Sequence, residues 1–161
     1  MELLQHMPRL TNLSVNIALP ARSGRLSVLG RAPQPWVERL ELRSLSLAYP
    51  DPADIIFCAN VTGLRHLSLS DYPRYYYHLA FTLVSNRYDA PILTSSECLS
   101  ILQRMNLPAL ESLTLSYVAD EADEDLLRYI PETFHRLRTL EIHRYHQDRE
   151  AVVQYVRLRL L

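Results

Sequence analysis

Glycine is nearly missing, with 3 in 161 residues, and with it go the loops in which closely spaced backbone amides cradle a phosphate. No GxGxxG, GxxxxGKS/T or GxSxG pattern occurs, and no cysteine and histidine stand in a nucleophile arrangement. Cysteine is scarce too: Cys58 and Cys98 have no third partner and no CxxC spacing, which removes the zinc ribbons and disulfide scaffolds. Both fall in segments read below as helical, so buried, reduced thiols are expected. Long apolar runs are lacking. The longest stretches without Asp, Glu, Lys or Arg, 10–21 and 75–86, fall short of the ~20 residues a membrane helix needs. Met1-Glu2-Leu3-Leu4 carries an acid where a signal peptide is basic, so an intracellular protein, cytoplasmic or nuclear, is expected. An excess of either charge is absent as well: 17 basic against 18 acidic residues leave a net charge of -1. No global field draws in nucleic acid or an anionic membrane, and neither is expected as a partner.

What is present is a leucine pattern, L-x-x-L-x-L. It occurs as Leu10, Leu13, Val15; as Leu42, Leu45, Leu47; as Leu64, Leu67, Leu69; as Leu110, Leu113, Leu115; and as Leu137, Leu140, Ile142. A tyrosine keeps step with the last four copies, at Tyr49, Tyr72, Tyr117 and Tyr145, seven or eight residues after the first leucine. Copies two and three start 22 residues apart, and copies four and five 27, within the 20 to 29 of leucine-rich repeats. The gap of 46 between Leu64 and Leu110 implies an insertion, placed at 73–91 with its Tyr75-Tyr76-Tyr77 run. The first gap, 32 residues, leaves room for a degenerate strand at Leu26 and Val28.

Helical signals lie between the copies. Asp51 and Pro52 start a helix over 53–60. Ser96 starts another, with Leu99, Leu102 and Met105 on its inner face, ending before Pro108. Acids from Asp120 to Asp125 open a third that buries Leu126, Leu127 and Ile130 until Pro131 kinks or stops it. Asp148 opens a last one, with Val152, Val153 and Val156 inward. Strand and helix in alternation predict an α/β leucine-rich-repeat solenoid: a curved parallel sheet with helices on its convex side, in one domain over 1–161. One repeat cannot offset its own ordering entropy, so the copies must stack. The aliphatic tail from Val156 to Leu161 has no polar capping unit, and a piece of a longer solenoid is expected.

Side chains alternate along a strand, so with the leucines inward the third, fifth and seventh residues of each copy face outward. They are Asn12, Ser14 and Asn16 in the first copy, Ser44, Ser46 and Ala48 in the second, and His66, Ser68 and Ser70 in the third. The fourth adds Ser112, Thr114 and Ser116, and the fifth Thr139, Glu141 and His143. This small, hydroxyl-rich concave face is the expected site for a protein partner. It offers few large anchors, so the rim tyrosines Tyr49, Tyr72, Tyr117 and Tyr145 stand as candidate hot spots. The alternative is that these rings fill the turn of each repeat. His135, His143 and His146 near Glu141 lack metal-ligand spacing, and the acids of 120–125 lack the glycine and alternation of a calcium loop. Arg74 and the tyrosines after it read as a self-packing loop more readily than an RNA platform. No catalytic residue, metal or cofactor is expected.

The five copies, their irregular lengths and phrases such as Leu64-Arg65-His66-Leu67-Ser68-Leu69 and Leu110-Glu111-Ser112-Leu113-Thr114-Leu115 resemble the leucine-rich-repeat region of F-box proteins, particularly the divergent fungal set. The resemblance implies a module that captures the substrate of a cullin-type ubiquitin ligase. It implies an adaptor partner only through an F-box, and no such helix set stands ahead of Leu10. A repeat scaffold or inhibitor outside ubiquitination is the other reading.

Overall fold

The computed structural model describes residues 4, 6, 7, 9–16, 24, 25, 27–32, 40–59, 61–71 and 91–145, together with the backbone of 154–159. Tyr72, Leu26, His146, Asp148, Val152, Val153 and the expected insertion up to residue 90 lie outside them.

Each copy of the leucine pattern becomes a strand: β1 (Asn12–Val15), β2 (Ser44–Ala48), β3 (His66–Ser70), β5 (Ser112–Val118) and β6 (Thr139–Tyr145). With a short β4 (Leu93–Thr94) beside β5, they form the parallel part of one sheet in the order β1-β2-β3-β5-β6, and β7 (Gln154–Arg159) closes it antiparallel to β6. The register keeps equivalent residues side by side. Leu13 pairs with Leu45, Leu45 with Leu67, Leu67 with Leu113 and Leu113 with Leu140. Because strand side chains have a period of two, a slip of one residue would turn this whole column to the other face. Leu45, Leu67 and Leu113 are at most 1 % exposed, which fixes the register against that slip.

The aliphatic face of the sheet is covered by the segments between the strands. A 3-10 turn (Ile55–Cys58) adds Ile55, Ile56 and Phe57 to the core, helix α1 (Ser95–Arg104) adds Cys98, Ile101 and Leu102, and helix α2 (Asp123–Thr133) adds Leu126 and Ile130. The start of α1 is set by a capping box in which Thr94 accepts from the Glu97 amide and Glu97 reaches back to the Thr94 amide. Its buried side runs Cys98, Ile101, Leu102, Met105, the i, i+3, i+4, i+7 stripe of a packed helix. Leu99 packs at the margin of that stripe.

Several expectations change. Asp51 accepts from the Ala53 amide as a turn former, yet Asp54 caps the following turn, which is 3-10 and only four residues long. Cys58 is exposed, and only Cys98 is buried, where burial pushes its thiol pKa up. Leu127 is exposed, since Leu126 and Ile130 already fill the inner side of α2. Pro131 neither stops nor replaces the last turn: it deletes an amide that would have met the carbonyl of Leu127, on the exposed side. Val28 is buried in a bend, not in a strand. The final segment is a strand where a helix was expected. Its alternation Val156-Arg157-Leu158-Arg159 has period two, and the register sets Val156 opposite Ile142 and Leu158 opposite Leu140. Among the described residues no helix is long and apolar enough to cross a membrane.

Candidate functional site

The sheet face opposite the leucine column carries the residues expected to meet a partner, and the register arranges them in rows across the strands. The first row is Asn12, Ser44, His66, Ser112 and Thr139, and the second is Ser14, Ser46, Ser68, Thr114 and Glu141. Ala48 pairs with Ser70, and Ser116 with His143, in a third. Neighbouring strands lie about 4.8 Å apart, so the hydroxyls of one row form a close line over a flat, small-residue floor. Asn12, Ser14, Asn16 and His66 are exposed; Ser44, Ser46, Ser68, Ser70, Ser112, Thr114, Thr139, Glu141 and His143 are half-buried. On β1, Asn16 Nδ2 donates to Ser14 Oγ across 3.1 Å. On β6, His143 Nε2 sits 3.0 Å from Glu141 Oε1. Ser116 departs from the expected exposed position: it is 2 % exposed, and its Oγ has no hydrogen-bond partner.

The C-terminal border of this face is closed. Ala48, Tyr49 and Ile92 form a small apolar cluster with Val118 and Tyr145 packed against it. Tyr49 holds a positive φ of 49°, uncommon for a bulky residue, and tertiary bonds keep it there. Its amide donates to Ser70 O at 3.0 Å and its hydroxyl to Asp71 O at 2.6 Å. Tyr145 donates to Asp71 Oδ2 at 2.7 Å, reaching over β5 to do so. Tyr117 is wholly buried; burial raises its phenol pKa, and the Asp123 carboxylate beside it adds to the shift. The rim expectation for Tyr49 and Tyr117 is therefore corrected: both rings are buried, Tyr49 just past the end of β2 and Tyr117 within β5. Tyr145 is half-buried, and Tyr72 lies outside the described residues.

Two acids at this border, Asp54 and Asp120, are spent mainly on backbone amides. Asp54, 1 % exposed, accepts from the Ser27 hydroxyl and from the amides of Val28, Leu29 and Ile56 at 2.5 to 3.1 Å. Asp120 accepts from the amides of Ser96 and Ala122, tying the β5–α2 loop to the start of α1. Burial pushes the Asp120 carboxyl up, but hydrogen bonds from Thr94, Ser96 and Ala122 outweigh it and hold its pKa below the usual value. Asp123 takes Arg144 Nη2 at 2.6 Å.

The N-terminal border has the opposite character. Just ahead of the strands, the second residue of each copy forms a backbone ladder: Arg43 N donates to Thr11 O, Arg65 N to Arg43 O, Glu111 N to Arg65 O and Arg138 N to Glu111 O, at 2.7 to 2.9 Å. Arg43, Arg65 and Arg138 are exposed. Arg65 Nη1 reaches Glu111 Oε1 at 3.2 Å, while among the described residues no ion pair is formed by Arg43 or Arg138. Only the third, fifth and seventh positions of each copy were expected to matter; the same register applied to the second position contains this line.

Away from the face, a cavity of about 410 Å³ opens between the C-terminal ends of α1 and α2, lined by Arg104, Met105, Leu107, Tyr129, Thr133 and Phe134 among others. Among the described residues no three His, Cys, Asp or Glu side chains gather as metal ligands. The chain matches no protein-family model, and neither curated proteins nor solved structures give a match.

Proposed function

We propose that the chain is a leucine-rich-repeat module that holds another protein on the hydroxyl-lined face of its sheet and performs no catalysis of its own. The observation that carries this is the column Leu13, Leu45, Leu67, Leu113, Leu140, one residue from each copy, in unbroken parallel register. Units that each supply one strand and one covering segment, stacked in sequence order, suit the solenoid reading. Such stacking leaves one broad face per array for binding, and here that face is lined by small side chains that let a partner approach closely. The resemblance to the repeat region of F-box proteins supports capture of a ligase substrate as the cellular use. The adaptor contact belongs to the F-box of that family, and none of the residues described is assigned to it.

The test is a double variant, Ser68→Arg with Thr114→Arg. Both positions are half-buried on neighbouring strands at the centre of the face, whereas Ser116 is too deep to carry a large side chain without disturbing the fold. Proteins retained from native lysate by the wild type should be lost by the variant while circular dichroism stays unchanged. Undiminished retention by a folded variant would place the partner elsewhere and refute the proposal.

A further inference from the structure

Among the described side chains, the rows on β1, β2, β3, β5 and β6 lack the aromatic and arginine groups that normally concentrate binding energy, and two of the tyrosines expected to supply them are buried. The other border of the same floor supplies what is missing. Arg43, Arg65 and Arg138 stand on one hydrogen-bonded ladder at the N-terminal ends of β2, β3 and β6, with Glu111 between the last two. Four such strands in a row, about 4.8 Å apart, set Arg43 and Arg138 roughly 14 Å from one another. That is about the reach of four residues of extended chain. His66 and Thr139 follow Arg65 and Arg138 directly onto the first row of the floor.

All 17 basic residues of the chain are arginines. Guanidinium presents a planar fork of donors that matches a carboxylate in two parallel hydrogen bonds, which an ammonium cannot do. Arg43 and Arg138 have no acid to satisfy them within the described structure, and Arg65 shares its charge with a single carboxylate that is itself partly exposed. Along the sequence, the acids next to this line are Glu111 on the ladder and Glu41 two residues before Arg43, so three arginines stand with two glutamates on a chain whose net charge is -1. A local excess of this kind favours a short acidic segment over a long polyanion, which would also meet the acids elsewhere on the surface.

We propose that the occupant of the face is an acidic, extended protein segment, whose carboxylates are taken by Arg43, Arg65 and Arg138 while its backbone and small side chains lie on the Ser/Thr floor. This rests on the reading of the face as a protein-binding site and adds the chemistry of what binds. The two parts separate experimentally because one lives on the border and the other on the floor.

The experiment follows a fluorescein-labelled 12-residue peptide of alternating Glu and Ser by fluorescence anisotropy against the full chain at about 50 mM and about 200 mM salt. Three variants run beside the wild type: Arg43→Glu with Arg138→Glu, the bulky uncharged Ser68→Trp with Thr114→Trp on the floor, and Leu127→Glu on the exposed side of α2 as a control. Circular dichroism establishes that each is folded. Wild type and control should bind, with affinity falling at the higher salt as screening shortens the range of the border charges. The arginine reversals should weaken binding about tenfold or more. Loss in the arginine variant with full binding in the floor variant upholds the acidic partner and overturns the floor as its seat. Loss in the floor variant with full binding in the arginine variant upholds the floor and overturns this inference. No binding by the wild type at low salt also overturns it, as does equal binding of an alternating Lys and Ser peptide or tighter binding of a single-stranded oligonucleotide.

Discussion

At the C-terminal ends of the strands Asp54 gathers four donors and Asp71 joins β2, β3 and β6 through two tyrosines, whereas at the N-terminal ends Arg43 and Arg138 stand exposed, with no ion pair among the described residues. At the first border Asp54, Asp71 and Asp120 turn their charges onto amides and hydroxyls of their own chain, and Ile92 and Tyr145 belong to an apolar cluster there. The second leaves its charges outward and its floor open. A buried carboxylate with a full set of donors stabilises the fold and has no capacity left for a ligand; an exposed arginine contributes little to stability and keeps its donors for one. The difference separates the stretch of the sheet that holds the module together from the stretch that is available to something else.

The comparison presumes one shared leucine column, and the largest effect tests that presumption. Leu67→Asp sets an unpaired charge at the centre of the column and should cost on the order of 4 kcal/mol or more, seen as loss of a cooperative thermal transition by circular dichroism. A cooperative transition at the wild-type temperature would break the register. Next comes the inward border: Asp54→Ala strands the amides of Val28, Leu29 and Ile56 and should lower urea stability by about 3 kcal/mol. Tyr145→Phe removes one bond to Asp71 and should cost about 1 kcal/mol in the same assay.

Acid sharpens the contrast further. Asp51 and Asp120 have folded pKa values below their ordinary ones; for Asp51 burial works upward, but the Ala53 amide and Arg31 outweigh it. A carboxyl that ionises more readily when folded stabilises the fold above its unfolded value of about 3.9, and that contribution is lost as pH falls through the lower folded value. Urea midpoints should therefore drop below about pH 4, and Asp120→Asn should both lower the midpoint at neutral pH and flatten the decline. A decline as steep in Asp120→Asn as in the wild type would remove Asp120 from this role. The smallest effect belongs to the outward border: Arg43→Ala and Arg138→Ala should each change stability by less than about 0.5 kcal/mol. A loss matching that of Tyr145→Phe would mean those arginines are structural after all, and the contrast between the borders would collapse.

Much of this was legible in the residues because leucine periodicity and strand pleat share one rule. A period of two with one buried face determines which side chains turn in, so the strands, their parallel order and the rows of Ser44, Ser68 and Thr114 could be read in advance. Where two elements compete for the same apolar residues the reading failed. Val156 continues the helical spacing of Val152 and Val153 as readily as it alternates with Leu158 in a strand, and only the pairing with β6 decides between them. Leu126 and Leu127 are neighbours of equal hydrophobicity, and which of them turns inward depends on the phase of α2, set by its first turn at Asp123. Tyr49 and Tyr117 looked like rim anchors because repetition marks a residue without saying which side of the backbone it serves. Asp71, beside the Tyr49 hydroxyl, comes from the next copy 22 residues away, and Asp123, beside the Tyr117 hydroxyl, comes from the following helix, so the leucine pattern records neither. The arginine line was present in the register all along, at the second position of each copy, but its exposure and lack of acid partners needed the fold.

Chemical-shift mapping of the labelled chain during titration with the alternating Glu and Ser peptide puts the two borders side by side in one measurement. The account predicts that the amides of Arg43, Arg65 and Arg138 and of Ser46, Ser68 and Thr114 move together and saturate at one peptide per chain, while those of Asp54, Asp71 and Asp120 stay still. Shifts confined to the C-terminal border, or to the α1–α2 cavity around Leu107 and Tyr129, would contradict it.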